Sequence, residues 1–218
     1  MKHFKLTSET KVNFLGKTLF RIELITDCKW GKIGDKGGFL EKEENLLDNA
    51  WVFGDAEVFG NARVSGDAEV SGDARVSGNA RVFDNVRVSG NAEVSGDAEV
   101  FDNARVYGDA EVYGNAWVYG NAWVFDNARV YGDARVSGNV RVSGNAEVTK
   151  KVFILNFCYN LTLTDNHIKF GCEMKTVKEW EDWLKSDQII NTPRSDKKFK
   201  LIEMSLNLAI EQWKQLNN

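Results

Sequence analysis

The sequence predicts a mainly β protein whose central body is a parallel β-helix of about 18 residues per coil. Three observations predict it. A six-residue period runs without a slip from Ala50, valine stands at every sixth position from Val52 to Val148, 17 times in all, and a Gly-Asp or Gly-Asn pair recurs at a fixed offset after most of those valines.

The chain is expected to divide into an N-terminal cap over residues 1–48, the repeat body over 49–149 and an α+β extension over 150–218. Within the cap, residues 12–26 alternate weakly and carry Leu19, Phe20, Ile22, Leu24 and Ile25, which predicts one or two strands. A cap is required on physical grounds, because the open end of a β-helix would expose core valines and unpaired backbone groups.

The repeat unit is Ala-x-Val-[Ser/Phe/Tyr]-Gly-[Asp/Asn], as in Ala62-Arg63-Val64-Ser65-Gly66-Asp67. Ala and Val are two apart, so they face the same way on a short strand and are predicted to point inward. Gly then supplies a corner, since it takes positive φ without a Cβ clash, and Asp or Asn tolerates the neighbouring geometry. Three hexads make a coil of 18 residues, giving between five and six coils and a rod on the order of 25 Å long at about 4.8 Å per rung. A four-residue strand cannot bury its apolar side alone, so the units must stack.

After Lys150 the period breaks. Val152 to Asn156 and Tyr159 to Gly171 read as strands, with Asp165-Asn166 as a hairpin turn. Thr176 and Glu179 form a capping box that opens a helix running to about Lys185, and a second helix follows Pro193. On that second helix Phe199, Ile202, Leu206, Ala209, Ile210, Trp213 and Leu216 share one face, expected to pack on the hairpin or the rod.

The net charge of −4 argues against nucleic acid as a partner, and its distribution sharpens the point. Residues 51–149 hold 8 Arg and no Lys against 15 acidic side chains, a balance of −7. No run approaches the roughly 20 apolar residues of a membrane span, and Met1 to Thr10 carries charges rather than an apolar stretch. The three cysteines, Cys28, Cys158 and Cys172, are odd in number, which suits a reducing compartment. A soluble, cytoplasmic protein without a membrane partner is the expectation.

The hexads, with Val58 followed four later by Ala62 and Val64 by Ala68, resemble the hexapeptide-repeat superfamily of left-handed parallel β-helices, with one departure: Gly sits two after the aliphatic residue instead of next to it. The resemblance implies a left-handed coil. The leader Gly31-Lys32-Ile33-Gly34-Asp35-Lys36-Gly37-Gly38-Phe39-Leu40-Glu41, with Asn45-Leu46, is similar to leaders of a subgroup of bacterial and phage repeat proteins. The tail segment from Thr164 to Cys172 with Glu179-Trp180 is similar to tails of that subgroup, which implies no catalytic activity.

Well-known members of the superfamily are acyltransferases that use a histidine as general base. The repeat body here has no histidine; His3 and His167 lie in the flanks, and the repeat serines therefore lack a positioned base. An enzyme is not expected, and neither is a cofactor. Cys158 and Cys172 lie almost opposite each other about the Asp165-Asn166 turn with only His167 near, short of four zinc ligands, so buried thiols and no metal are predicted. The column Asn85, Asn103, Asn121, Asn139 reads as a structural amide ladder.

Most outward positions carry Glu, Arg or Ser, and columns such as Glu57-Arg75-Glu93 alternate in sign as a solvated face does. One band departs: Tyr107, Tyr113, Trp117, Tyr119, Trp123, Phe125 and Tyr131 point outward near Arg105, Arg129 and Arg135, with Phe83, Phe101 and Tyr119 in one column. It is expected to form a continuous aromatic patch, covered by the chain's own tail, by a second copy or by a foreign ligand. The resulting expectation is a non-catalytic binding or scaffold protein that forms a homo-oligomer, dimer or trimer, and presents this band to a host protein or small ligand. The alternatives are a phage-encoded antagonist that captures a host protein or a small nucleotide-like signal, and, disfavoured, an acyl-group transferase.

Overall fold

The computed structural model describes residues 2–150, 154–156, 160–190 and 193–217. Each hexad contributes one two-residue strand, and these strands, β4 to β20, run from Trp51–Val52 to Glu147–Val148. They fall in rotation onto three parallel ladders: β5, β8, β11, β14, β17, β20; β4, β7, β10, β13, β16, β19; and β6, β9, β12, β15, β18. Val58 pairs with Val76 and Val76 with Val94, so one coil is 18 residues and the three-sided parallel solenoid has about six coils.

The predicted inside is the observed one. Every Val and Ala of the columns, with Val86 and Val140 in the Ala position, is buried to 1% exposure or less. The strands are held from coil to coil by the backbone, as where Phe53 N–H donates to the Val70 carbonyl at 2.8 Å. Corners close locally, Ala68 N–H donating to the Ser65 carbonyl at 3.3 Å.

Corner glycines such as Gly78 have a second reason beyond their φ of +67°: a Cβ there would lie 2.9 Å from the backbone nitrogen of Gly96 in the next coil. Asp replaces Gly at Asp48, Asp84, Asp102 and Asp126, all with φ between 54° and 65°. Each carboxylate accepts a backbone N–H one coil on, from Gly120 to Asp102 and from Gly144 to Asp126 at 3.0 Å. The side chain thereby recovers part of the cost of a left-handed backbone.

The cap joins the same architecture. Strands β1 (Phe4–Val12) and β2 (Thr18–Leu24) form an antiparallel hairpin, and β3 (Lys36–Leu40) pairs antiparallel with β2 and parallel with β5. Cap and rod thus share one nine-stranded sheet. The weak alternation of residues 12–26 captured β2; β1 lies N-terminal to it, with only Phe4 buried, and Ile25 is exposed.

The glycines of the leader have a steric cause. A Cβ on Gly37 would meet the Val52 carbonyl at 2.5 Å, and one on Gly38 would meet Val52 Cγ1 at 2.5 Å and the Ala56 carbonyl at 2.6 Å. Asn45, fully buried after the 3-10 turn Glu43–Asn45, donates its amide to the carbonyls of Gly60 and Ala62 and accepts from Lys42 N–H. It satisfies rod backbone that the missing coil would have paired.

The tail is an antiparallel run of β21 (Ile154–Asn156), β22 (Asn160–Leu163), β23 (Ile168–Phe170) and β24 (Glu173–Lys175), followed by α1 (Val177–Lys185) and α2 (Lys197–Asn217). The strand starts expected at Val152 and Tyr159, together with Cys158, lie outside the described residues, as does the side chain of Leu216. Thr176 and Glu179 form the predicted capping box. Phe199, Ile202, Leu206, Ala209 and Ile210 are buried with Trp180 and Trp183 in a second core, where α2 packs on β22 and β23.

The predicted hairpin turn is also the joint to the rod. Asp165 N–H donates to the Glu147 carbonyl at 3.0 Å, Glu147 N–H donates to Asn166 Oδ1 at 3.0 Å, and Thr149 N–H donates to the Asp165 carboxylate. Met174 adds an apolar contact to the rod core. Among the described residues no helix is long and apolar enough to cross a membrane.

Candidate functional site

Because successive hexads step to a new ladder, aromatic residues six apart lie on different sides of the rod, and those 18 apart stack. The expected continuous patch is therefore replaced by three separate ring columns. Phe83, Phe101 and Tyr119 stack at 5.1 and 4.9 Å with planes within 4° of parallel; Tyr107 stacks on Phe125 at 5.0 Å; Tyr113 stacks on Tyr131 at 4.9 Å. Trp117 meets the first column edge-on through Phe101, and Trp123 meets the second through Tyr107.

All seven residues of the predicted band are half-buried. A stacked pair is worth roughly 0.5–1.5 kcal/mol beyond its buried area, so the columns stabilise the rod whatever else they do. Stacking consumes the ring faces and leaves their edges outward. Burial raises the hydroxyl pKa of Tyr107, Tyr113 and Tyr131 above the usual phenol value, and Tyr131 donates to Glu147 at 3.3 Å.

The arginines divide in the same way. Arg129 pairs with Glu111 at 3.5 Å beside the Tyr113–Tyr131 column. Arg135 instead lies over the Trp117 ring at 4.5 Å. On the β4 ladder the cross-rung neighbours Arg105, Trp123 and Arg141 place a guanidinium on each side of one indole, at 5.0 and 4.6 Å from its centroid. Among the described residues Arg105, Arg135 and Arg141 have no carboxylate within ion-pair distance.

The sequence reading missed Arg141 and Lys169. Lys169, from β23, donates to buried Ser143 Oγ at 2.8 Å and sits 5.7 Å from the Phe125 ring. Burial, and next the charge of Arg141, hold its pKa below the ordinary lysine value. The 18-residue register could have added Arg141 to the list, being one coil beyond Trp123; no local signal placed the tail lysine there.

The column Glu57-Arg75-Glu93 alternates in register as predicted, with Arg75 and Glu93 paired at 2.8 Å, but its first member is not solvated: Glu57 is buried beneath the cap, where Lys11 pairs with it at 2.8 Å. In the amide column Asn121 Nδ2 donates to Asn139 at 3.2 Å, and a parallel ladder runs from Asn61 to Asn79 to Asp97. His3 is buried, its Nε2 lies 3.2 Å from the Ala50 carbonyl, and desolvation lowers its pKa. His167 is half-buried in the hairpin turn, its backbone N–H donating to Thr164 Oγ1.

The expectation of buried thiols fails at Cys172, which is exposed because it occupies the tight turn after Gly171 instead of a packed strand position; Cys28 is half-buried. No group of three or more metal-ligating side chains occurs among the described residues.

Residues 74–90, 104–126, 128–144 and 134–149 match the family model described as YdcK Beta solenoid repeat, together less than a third of the chain. A search of curated proteins found no match. The match and the coils agree that this is a β-solenoid repeat protein.

Proposed function

We propose that the chain is a non-catalytic binding and scaffold protein of the hexapeptide-repeat kind, working in the cytoplasm and self-associating through a face of its rod. The observation that carries this reading is the departure of the later coils from the solvated pattern. There the serine columns give way to aromatic ring edges, and Arg105, Arg135 and Arg141 lie on indoles instead of on carboxylates. Such cation–aromatic groups are enriched where partners bind, whereas the Glu–Arg columns of the earlier coils serve hydration.

Changing Trp117 and Trp123 together to Ser tests it. The expected outcome is a changed mass in light scattering or a lost partner in pull-down, with the thermal melt of the rod retained. No change in either ends the proposal.

A second reading is a phage-encoded antagonist that captures a host protein or a small nucleotide-like signal. It is motivated by the resemblance of the leader and tail to those of bacterial and phage repeat proteins, and the guanidinium–indole pairs are compatible with such a ligand. Differential scanning fluorimetry against a nucleotide panel separates the two, since a ligand at 100 times its Kd adds about 2.7 kcal/mol.

A further inference from the structure

The tail delivers one lysine to the side of the rod, and what it meets there is not a carboxylate. Lys169 Nζ, partly buried, is 2.8 Å from Ser143 Oγ and faces the same corner as Arg141. Arg141 lies on one side of Trp123, with Arg105 on the other. Tyr107 and Phe125 wall the corner with a stacked pair. Among the described residues none of these three cations has an ion-pair partner within 4 Å; the carboxylate of Asp126, whose charge Lys169 feels, accepts Gly144 N–H.

Resting on the binding reading above, we propose that this corner recognises a compact oligophosphate, held by Arg105, Arg141 and Lys169. Half-buried Lys169 and exposed Arg141 repel each other without a counter-charge, and an anion shared by the two removes that cost. Phosphate suits the donor set, because its several oxygens accept a planar guanidinium fork and an ammonium at once.

The layout also fixes the size of the ligand. Arg105 and Arg141 are two rungs apart, roughly 9.6 Å at 4.8 Å per rung, a span that two or three linked phosphates cover. A long polyanion is disfavoured: Asp109 and Asp126 stand at the same edge, Glu69 lies further down the ladder, and the repeat body carries −7. The ring edges of Tyr107 and Phe125 could in addition read an organic group on the phosphate chain.

The test is titration of the full chain with inorganic tripolyphosphate and, separately, with ATP, read by isothermal calorimetry and thermal melting. Saturable one-to-one binding is expected, weakened at least tenfold in Arg141→Met and in Lys169→Met and unchanged in Arg63→Met, a substitution on another ladder. Arg141→Met leaves the lysine contact to Ser143 in place, so a folding defect of the lysine variant does not obscure the result.

Tighter binding of ATP than of tripolyphosphate assigns the ligand to nucleoside polyphosphates, and equal binding assigns it to inorganic ones. Absence of binding to both, equal weakening by Arg63→Met, or stronger binding to a short single-stranded oligonucleotide overturns the inference. Loss of oligophosphate binding alone, with the Trp117/Trp123 phenotype intact, removes the ligand assignment and leaves the binding protein standing.

Discussion

At the scale of single residues, Asp102 shows how an exception to the repeat is accommodated. It stands where most hexads have Gly, with φ of 62°, and its carboxylate accepts Gly120 N–H at 3.0 Å. Asp102→Ala keeps the left-handed backbone and removes the acceptor, so it is expected to cost about 1–2 kcal/mol. Asp102→Gly loses the acceptor but relieves the backbone, and should change stability by less than about 0.5 kcal/mol. Urea midpoints compare them; equal losses would contradict the explanation. The inward or outward sense of each rod residue was legible from the two-residue alternation alone, as Val100 and Glu99 show. What was not legible was company: Tyr107 and Tyr113 are neighbours in the repeat but lie on different ladders, whereas Tyr107 and Phe125, 18 apart, stack.

At the scale of elements, β3 is where the rod begins, and its two glycines are there for space. Gly38→Ala would drive a methyl group into Val52 Cγ1 and the Ala56 carbonyl, at 2.5 and 2.6 Å. Overpacking of this kind costs about 1–3 kcal/mol, and the loss should appear first as faster hydrogen exchange in β1 and β2 while amides of the middle coils stay protected. Uniform deprotection, or none, would show that β3 does not seal the end. The leader motif drew attention in the sequence by resemblance, but its physical purpose needed the packed backbone. Strand β1 escaped notice for a plain reason: Lys5, Ser8, Glu9, Thr10 and Lys11 leave little alternation, because most of its side chains face solvent.

At the scale of the whole molecule, stability is strung along one dimension, each coil contacting its neighbours. Val100, fully buried near the middle, cannot accept a charge: Val100→Asp places an unpaired carboxylate in a dry core and is expected to cost several kcal/mol, read as loss of the cooperative thermal transition of the rod. An unchanged melt would refute the inward assignment. The second core, built around Trp180, Leu206 and Ile210, is distinct from the rod's, so the helical signal of α2 should outlast that of the rod in this variant. The body was readable because its period repeats 17 times, while the joint was not, since Asp165, Asn166 and Lys169 reveal their partners only once the tail is docked.

That docking has a consequence for how the chain can change in length. The tail is fastened to β20 through the Asp165-Asn166 turn, while Lys169 reaches Ser143 on the neighbouring ladder. Adding or deleting 18 residues brings the tail back to the same side of the prism, and the lysine again faces the same ladder. Adding six or twelve between Arg105 and Arg141 would dial the tail round by one third or two thirds of a turn, leaving Lys169 and Arg141 on a ladder that does not carry Arg105. The solenoid therefore behaves as an indexed shaft with three stops, and the cationic corner exists at one of them.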